Sequence, residues 1–132
     1  MNKQKMHSVF VYGTLRQGKG NHKLLVNSNF VGKAKTVNKY EMTASGIPFV
    51  DPNKETSNIV GEVYEVNDET LDRLDMLEGY SPEDHNGSWY KRTPVKVKLE
   101  QSGEEIDTQI YFNEQKANTV IINGDFISPK IS

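Results

Sequence analysis

The residue best placed to do chemistry is an acid on the wrong face of a helix. Asn67–Glu78 reads as an amphipathic helix, capped by Asn67 or Asp68 and terminated by Gly79. At about 100° per residue, Leu71, Leu74 and Leu77 fall within an arc of about 120°. Glu78 lies inside that arc, whereas Asp72 and Arg73 lie outside it, where charge stays solvated. A carboxylate among core-facing leucines is costly to ionise unless something pairs with it. In the last turn, the negative end of the helix dipole adds to that cost. Both effects push the pKa upward, which suits a group that exchanges protons near neutral pH. A plainer role also fits: a helix-end Glu bonded to a backbone amide or reaching solvent.

The second candidate is a turn. Gly13-Thr14-Leu15-Arg16-Gln17-Gly18-Lys19 matches the start of a phosphate loop, but Gly20 stands where that motif needs Ser or Thr to hold magnesium. A phosphate loop also belongs to a parallel sheet with crossover helices, which this sequence does not suggest. Nucleotide hydrolysis is therefore rejected. The turn can still act on anions. A strand ending in Tyr12-Gly13-Thr14-Leu15 leaves backbone N–H groups unpaired, and such amides form a concavity suited to a carboxylate. Gly13 would let a ligand approach closely. An ordinary glycine turn fits the segment as well.

These residues need a scaffold, and its elements can be read in outline. His7–Tyr12 is a compact apolar run that reads as a buried strand. Asn21–Val26 reads as a short helix with Asn21 as N-cap. Phe30–Thr43 and Ile47–Val50 read as irregular strands broken at Ser45-Gly46, and Ile59–Val66 as a clearer one. Tyr80–Trp89 is a polar loop. Val95, Val97 and Leu99 alternate with charged residues as a one-sided strand, and Ile106–Phe112 follows a turn at Gly103. From about Asn113 the pattern weakens and predicts an extended tail. Short turns between successive strands predict an α+β fold: a small, mostly antiparallel sheet curled towards a β-barrel, with a few short helices.

The 132 residues are read as a single domain, 35% hydrophobic and 26% charged. A net charge of −2 with scattered lysines gives no reason to expect nucleic acid or an anionic membrane as partner. There is no cysteine, hence no disulfide, thiolate nucleophile or Cys-ligated zinc. No apolar run approaches the roughly 20 residues of a membrane helix. The polar start, Met1–Lys5, does not resemble a signal peptide, so Asn86-Gly87-Ser88 is not expected to be glycosylated and a cytoplasmic location is expected. His7, His22 and His85 show no metal spacing, and no cofactor is expected.

Taken in order, several segments resemble the γ-glutamylcyclotransferase-like (AIG2-like) superfamily. Val9–Arg16, with Gly18 and Asn21-His22 behind it, resembles the family's tyrosine-glycine-serine/threonine-leucine turn. Leu71–Tyr80 resembles the helix carrying its catalytic glutamate, which Glu78 matches. Trp89-Tyr90-Lys91-Arg92 resembles its tyrosine-x-arginine, and Gly124-Asp125-Phe126 its late glycine-aspartate-tryptophan, with Phe126 replacing Trp. The short chain and the Tyr-Gly-Thr-Leu variant resemble the γ-glutamylamine type more than the larger glutathione-specific enzymes.

The resemblance implies an enzyme that releases an amine and 5-oxoproline from a small γ-glutamyl amide. The substrate's own α-amino group would attack its γ-carbonyl, with Glu78 as general acid/base. Amides of Gly13, Thr14 and Leu15 would hold the α-carboxylate or the oxyanion. Tyr12 and Tyr90 would line the pocket, hydrogen-bond Glu78 or simply pack, and Arg92 reads as a structural ion-pair partner. Two other readings stand beside this one. The first is a small-molecule binder using the same pocket without turnover. The second is an interaction module built on Tyr80–Trp89, with Trp89 as its anchor.

Overall fold

A computed structural model describes residues 5–131. Alternation in the first strand, β1 (Met6–Val11), sets the layering, because both of its faces are buried. Phe10 and, just beyond the strand, Tyr12 enter one cluster with Met42, Val63, Val97 and Ile110. Val9 and Val11 point the other way, into a cluster with Leu25, Tyr64, Leu71 and Leu74. The first cluster fills a curled sheet and the second glues a helix to its outside.

The remaining strands are β2 (Asn29–Ser45), β3 (Ile47–Asp51), β4 (Ser57–Asn67), β5 (Lys91–Leu99), β6 (Glu105–Phe112) and β7 (Thr119–Ile121). All pairings are antiparallel, in the order β1-β4-β2-β5-β6, with β3 and β7 flanking β2. Register shifts between Phe30 and Gly32 and between Lys35 and Lys39 bend β2. Its last residues, Glu41–Ser45, therefore pair with β3, and Met42–Ala44 with β7. The end strands β1 and β6 approach each other, and Ser8 Oγ donates to Thr108 Oγ1 at 2.7 Å. The result is a nearly closed, barrel-like sheet, the α+β architecture expected.

The helix α1 (Asp68–Glu78) starts where Asn67 Oδ1 accepts from the Thr70 N–H, and it stops at Gly79. Gly79 has φ 65°, a left-handed conformation that favours glycine, and its N–H bonds back into the helix. Leu71 and Leu74 are buried as the wheel requires, but Leu77 is 42% exposed. The buried arc is rotated towards Asp75, and the last turn of α1 overhangs a cleft instead of the core.

Two other expectations change. Asn21 precedes a single 3-10 turn, His22–Leu25, without capping it by its side chain; Asn21 Nδ2 donates instead to Thr14 Oγ1 at 2.8 Å. The segment after Asn113 carries β7 and is well anchored. Thr43 Oγ1 accepts from Ala117 N–H, Ile121 is buried, and Gly124 O accepts from Val60 N–H. A strand as short as β7 has no periodicity to read.

Candidate active site

The turn after β1 is held from behind. Arg16 N–H donates to Gly13 O at 3.1 Å, and Asn21 N–H to Thr14 O at 3.0 Å. The turn thus uses its carbonyls. Among the described residues, the N–H groups of Gly13, Thr14 and Leu15 have no acceptor. The buried Arg16 guanidinium fixes the turn to the sheet and to the chain end. Its Nε lies 3.1 Å from Glu62 Oε2, and its Nη1 lies 2.9 Å from Asp125 Oδ1. Glu62 Oε1 also accepts from Tyr64 OH and Gln17 N–H. Burial works against the Asp125 charge, but the N–H of Ser128 and the Arg16 guanidinium outweigh it and hold the pKa below 3.8. Gly13 also has a packing reason to be glycine. An added Cβ would lie 2.8 Å from Pro48 Cγ, so glycine here admits the Pro48 ring.

This turn faces α1 across a cleft of about 220 Å³, which gathers Tyr12, Gly13, Thr14, Leu15, Glu78 and Tyr90. These six candidate residues thus line one cleft, whereas Arg92, Asp125, Phe126 and the three histidines do not. Among the described residues, the Glu78 carboxylate has neither a hydrogen-bond nor an ion-pair partner. Burial pushes its pKa from 4.5 up to about 7. Tyr12 and Tyr90 do not bond to it. Tyr12 OH donates to Tyr111 O, and Tyr90 OH donates to Pro48 O at 2.8 Å. Burial, reinforced by the Glu78 charge, raises both phenols above 10.0, so they remain protonated at neutral pH.

Glu78 itself is positioned by Asp75, one turn earlier. Asp75 Oδ1 accepts from Tyr111 OH at 2.7 Å, and Oδ2 accepts from Arg92 Nη2 at 3.2 Å. Arg92 Nε also lies 2.9 Å from Oδ1, an ion-pair contact that is too misaligned to be a hydrogen bond. Arg92 Nη1 donates to Gln109 Oε1, and the guanidinium lies over the Tyr80 ring. Arg92 is thus an ion-pair partner within the fold. Tyr111 ties the two sides together: its hydroxyl holds α1 and its carbonyl holds Tyr12 at the start of the turn.

Sequence reasoning missed Asp75, Tyr111, Glu62 and Pro48. For Asp75 the signal was available, because it follows Leu71 by four residues and so shares the buried arc. For Tyr111, Glu62 and Pro48 nothing local gave notice, since their partners are distant in sequence. The histidines are engaged elsewhere: His7 with Asp68, His22 with Leu15 O and His85 with Tyr80 OH. Among the described residues no cluster suits a metal ion, and no helix is long and apolar enough to cross a membrane.

The family described as gamma-glutamyl cyclotransferase, AIG2-like, matches residues 9–127, and the chain belongs to this family of gamma-glutamylcyclotransferase enzymes. Over 122 residues it is 44% identical to a putative gamma-glutamylcyclotransferase of Methanocaldococcus jannaschii, covering 92% of this chain and 96% of that protein. It is also 33% identical to gamma-glutamylaminecyclotransferase C of Danio rerio, over 70% of this chain and 63% of that longer one. Among solved structures, an AIG2-like protein from Mus musculus superposes with a TM-score of 0.69 at 26% identity, covering 85% of this chain and 80% of the other.

Proposed function

We propose that this chain is a γ-glutamylamine-type cyclotransferase, converting a γ-glutamyl amide into a free amine and 5-oxoproline with Glu78 as general acid/base. The observation that carries this reading is the unpaired Glu78 carboxyl, pushed up to about 7, in a cleft shared with the free amides of the Tyr12–Leu15 turn.

The chemistry follows from what each group can do. A carboxyl that titrates near neutrality is partly ionised there and takes a proton from the substrate's α-ammonium. The freed amine attacks the γ-carbonyl carbon and closes a five-membered ring. Holding both ends of one molecule in register can supply about 7–11 kcal/mol at best. The oxyanion that develops, or the α-carboxylate, is received by N–H groups of Gly13, Thr14 and Leu15; an oxyanion donor is worth roughly 3–4 kcal/mol. Protonated Glu78 then passes its proton to the amide nitrogen as the C–N bond breaks. The new lactam nitrogen keeps one hydrogen, and the released amine carries away the others lost by the ammonium. No protein nucleophile takes part, in keeping with a chain that has no cysteine.

The test is product analysis with a panel of γ-glutamyl amides. Formation of 5-oxoproline by the wild type and its loss in Glu78→Gln, with an unchanged circular dichroism spectrum, supports the reading. Ligand-induced thermal stabilisation without product would assign the protein to binding alone.

A further inference from the structure

The cleft changes character between its floor and its mouth. On the floor, Tyr12, Leu15, Tyr90 and Tyr111 are buried. At the mouth, Ile47, Leu77 and Trp89 are 37%, 42% and 51% exposed. Large apolar side chains left open around one cavity mark a binding surface more than scattered ones do. Trp89 is also fixed in place. Its backbone N–H donates to Gly79 O at 3.1 Å, its ring packs edge-on against Tyr90 and Phe49, and its indole N–H donates to Gln115 Oε1. A half-exposed indole held from three sides is a preformed contact surface, so its ordering need not be achieved on binding.

Charge at the cleft points the same way. Among the described residues lining it, Glu78 is the only acid, and there is no Lys, Arg or His. A volume of about 220 Å³ is below the roughly 300–1,000 Å³ of ordinary ligand pockets. It suits a glutamyl group, and whatever hangs on the γ-amide nitrogen must leave past the mouth. Leu77 precedes Glu78 in the chain, so this apolar rim begins beside the group that protonates the departing nitrogen.

Resting on the cyclotransferase reading above, we propose that Ile47, Leu77 and Trp89 form a leaving-group subsite. It selects γ-glutamyl amides of apolar alkyl or arylalkyl amines over amides whose amine carries a second charge. An apolar chain gains by covering these side chains. A second ammonium or carboxylate would be partly desolvated against these three side chains, none of which carries a charge or a hydrogen-bond acceptor to meet it.

The experiment measures 5-oxoproline release from γ-glutamyl methylamide, butylamide, pentylamide, benzylamide and the equally long 4-aminobutylamide. We expect kcat/KM to rise about two- to fourfold per methylene. The pentylamide should exceed the aminobutylamide by roughly tenfold or more, since an uncompensated charge outweighs a lost methylene. Trp89→Ala should flatten the chain-length dependence, and Leu77→Ser, at an exposed position, repeats the test should Trp89→Ala fold poorly. Ile47→Glu should move the preference towards the aminobutylamide. Equal or faster turnover of the charged amide refutes the subsite while leaving the cyclotransferase reading intact. Absence of 5-oxoproline from every amide refutes both.

Discussion

Replacing Glu78 by glutamine should make the protein inactive and, above neutral pH, more stable. The carboxyl is nearly isosteric with the amide, so packing is retained and only ionisation is removed. In the folded chain burial raises the pKa from 4.5 to about 7, so between these values the native state binds more protons than the unfolded state. Stability then falls as pH rises through that window. The contribution is fully present below 4.5 and fully lost above about 7. At 1.36 kcal/mol per pKa unit, the wild type gives up about 3 kcal/mol at most. Glu78→Gln gives up none of it. The two proteins should unfold at similar urea midpoints near pH 4.5 and diverge steadily to pH 8. There the variant should lead by up to about 3 kcal/mol, on the order of 10 °C in melting temperature for a chain of this size. Turnover should drop by about 10²–10⁴-fold, the usual worth of a positioned acid/base. In the wild type, kcat/KM should rise with pH through an apparent pKa of about 7, because the carboxylate is the form that accepts the first proton. A stability difference that does not change with pH would refute the desolvated carboxyl. Unimpaired turnover in Glu78→Gln would refute its role in proton transfer.

Other outcomes follow from the supports of the site. Gly13→Ala drives a methyl into the Pro48 ring, whose Cγ would be 2.8 Å away. It should cost about 1–3 kcal/mol in urea unfolding and lower kcat more than it raises KM, because the turn must shift. Asp75→Ala leaves the Arg92 guanidinium buried without its carboxylate and should cost about 3–5 kcal/mol, while a double-mutant cycle with Arg92→Met should recover part of that loss. Arg16→Met strands Glu62 and Asp125 together, with a loss of similar size. It should also raise the Asp125 pKa, visible by carboxyl NMR titration, because the guanidinium is one of the groups that lower it.

The residues that line the cleft were more legible in the sequence than the contacts that brace them. Glu78 was legible because a helix has a strict period and an acid among leucines breaks it. The turn was legible because glycine and a strand end announce themselves locally. The same period misled at Leu77, which fits the apolar arc but overhangs the cleft; it did mark Asp75 as sharing a face with Leu71, but not its partners Arg92 and Tyr111, which are distant in sequence. The anchoring of the last residues was invisible for the same reason. The Val60–Gly124 bond and the Arg16–Asp125 pair join positions that nothing in a short window connects.

What was hidden explains what was visible. An acid next to a guanidinium would have its pKa lowered and would be a poor base at neutral pH. In this fold the nearby cations are already engaged: Arg92 by Asp75 and Gln109, Arg16 by Glu62 and Asp125. These networks brace the helix and the turn. Neither guanidinium pairs with Glu78, whose carboxyl has no ion-pair partner among the described residues. The groups left unsatisfied in the cleft, the Glu78 carboxyl and the turn amides, are the ones that a γ-glutamyl amide would need. Burial is then left to raise the Glu78 pKa, and Asp75 supports the helix that carries Glu78 although it does not line the cleft.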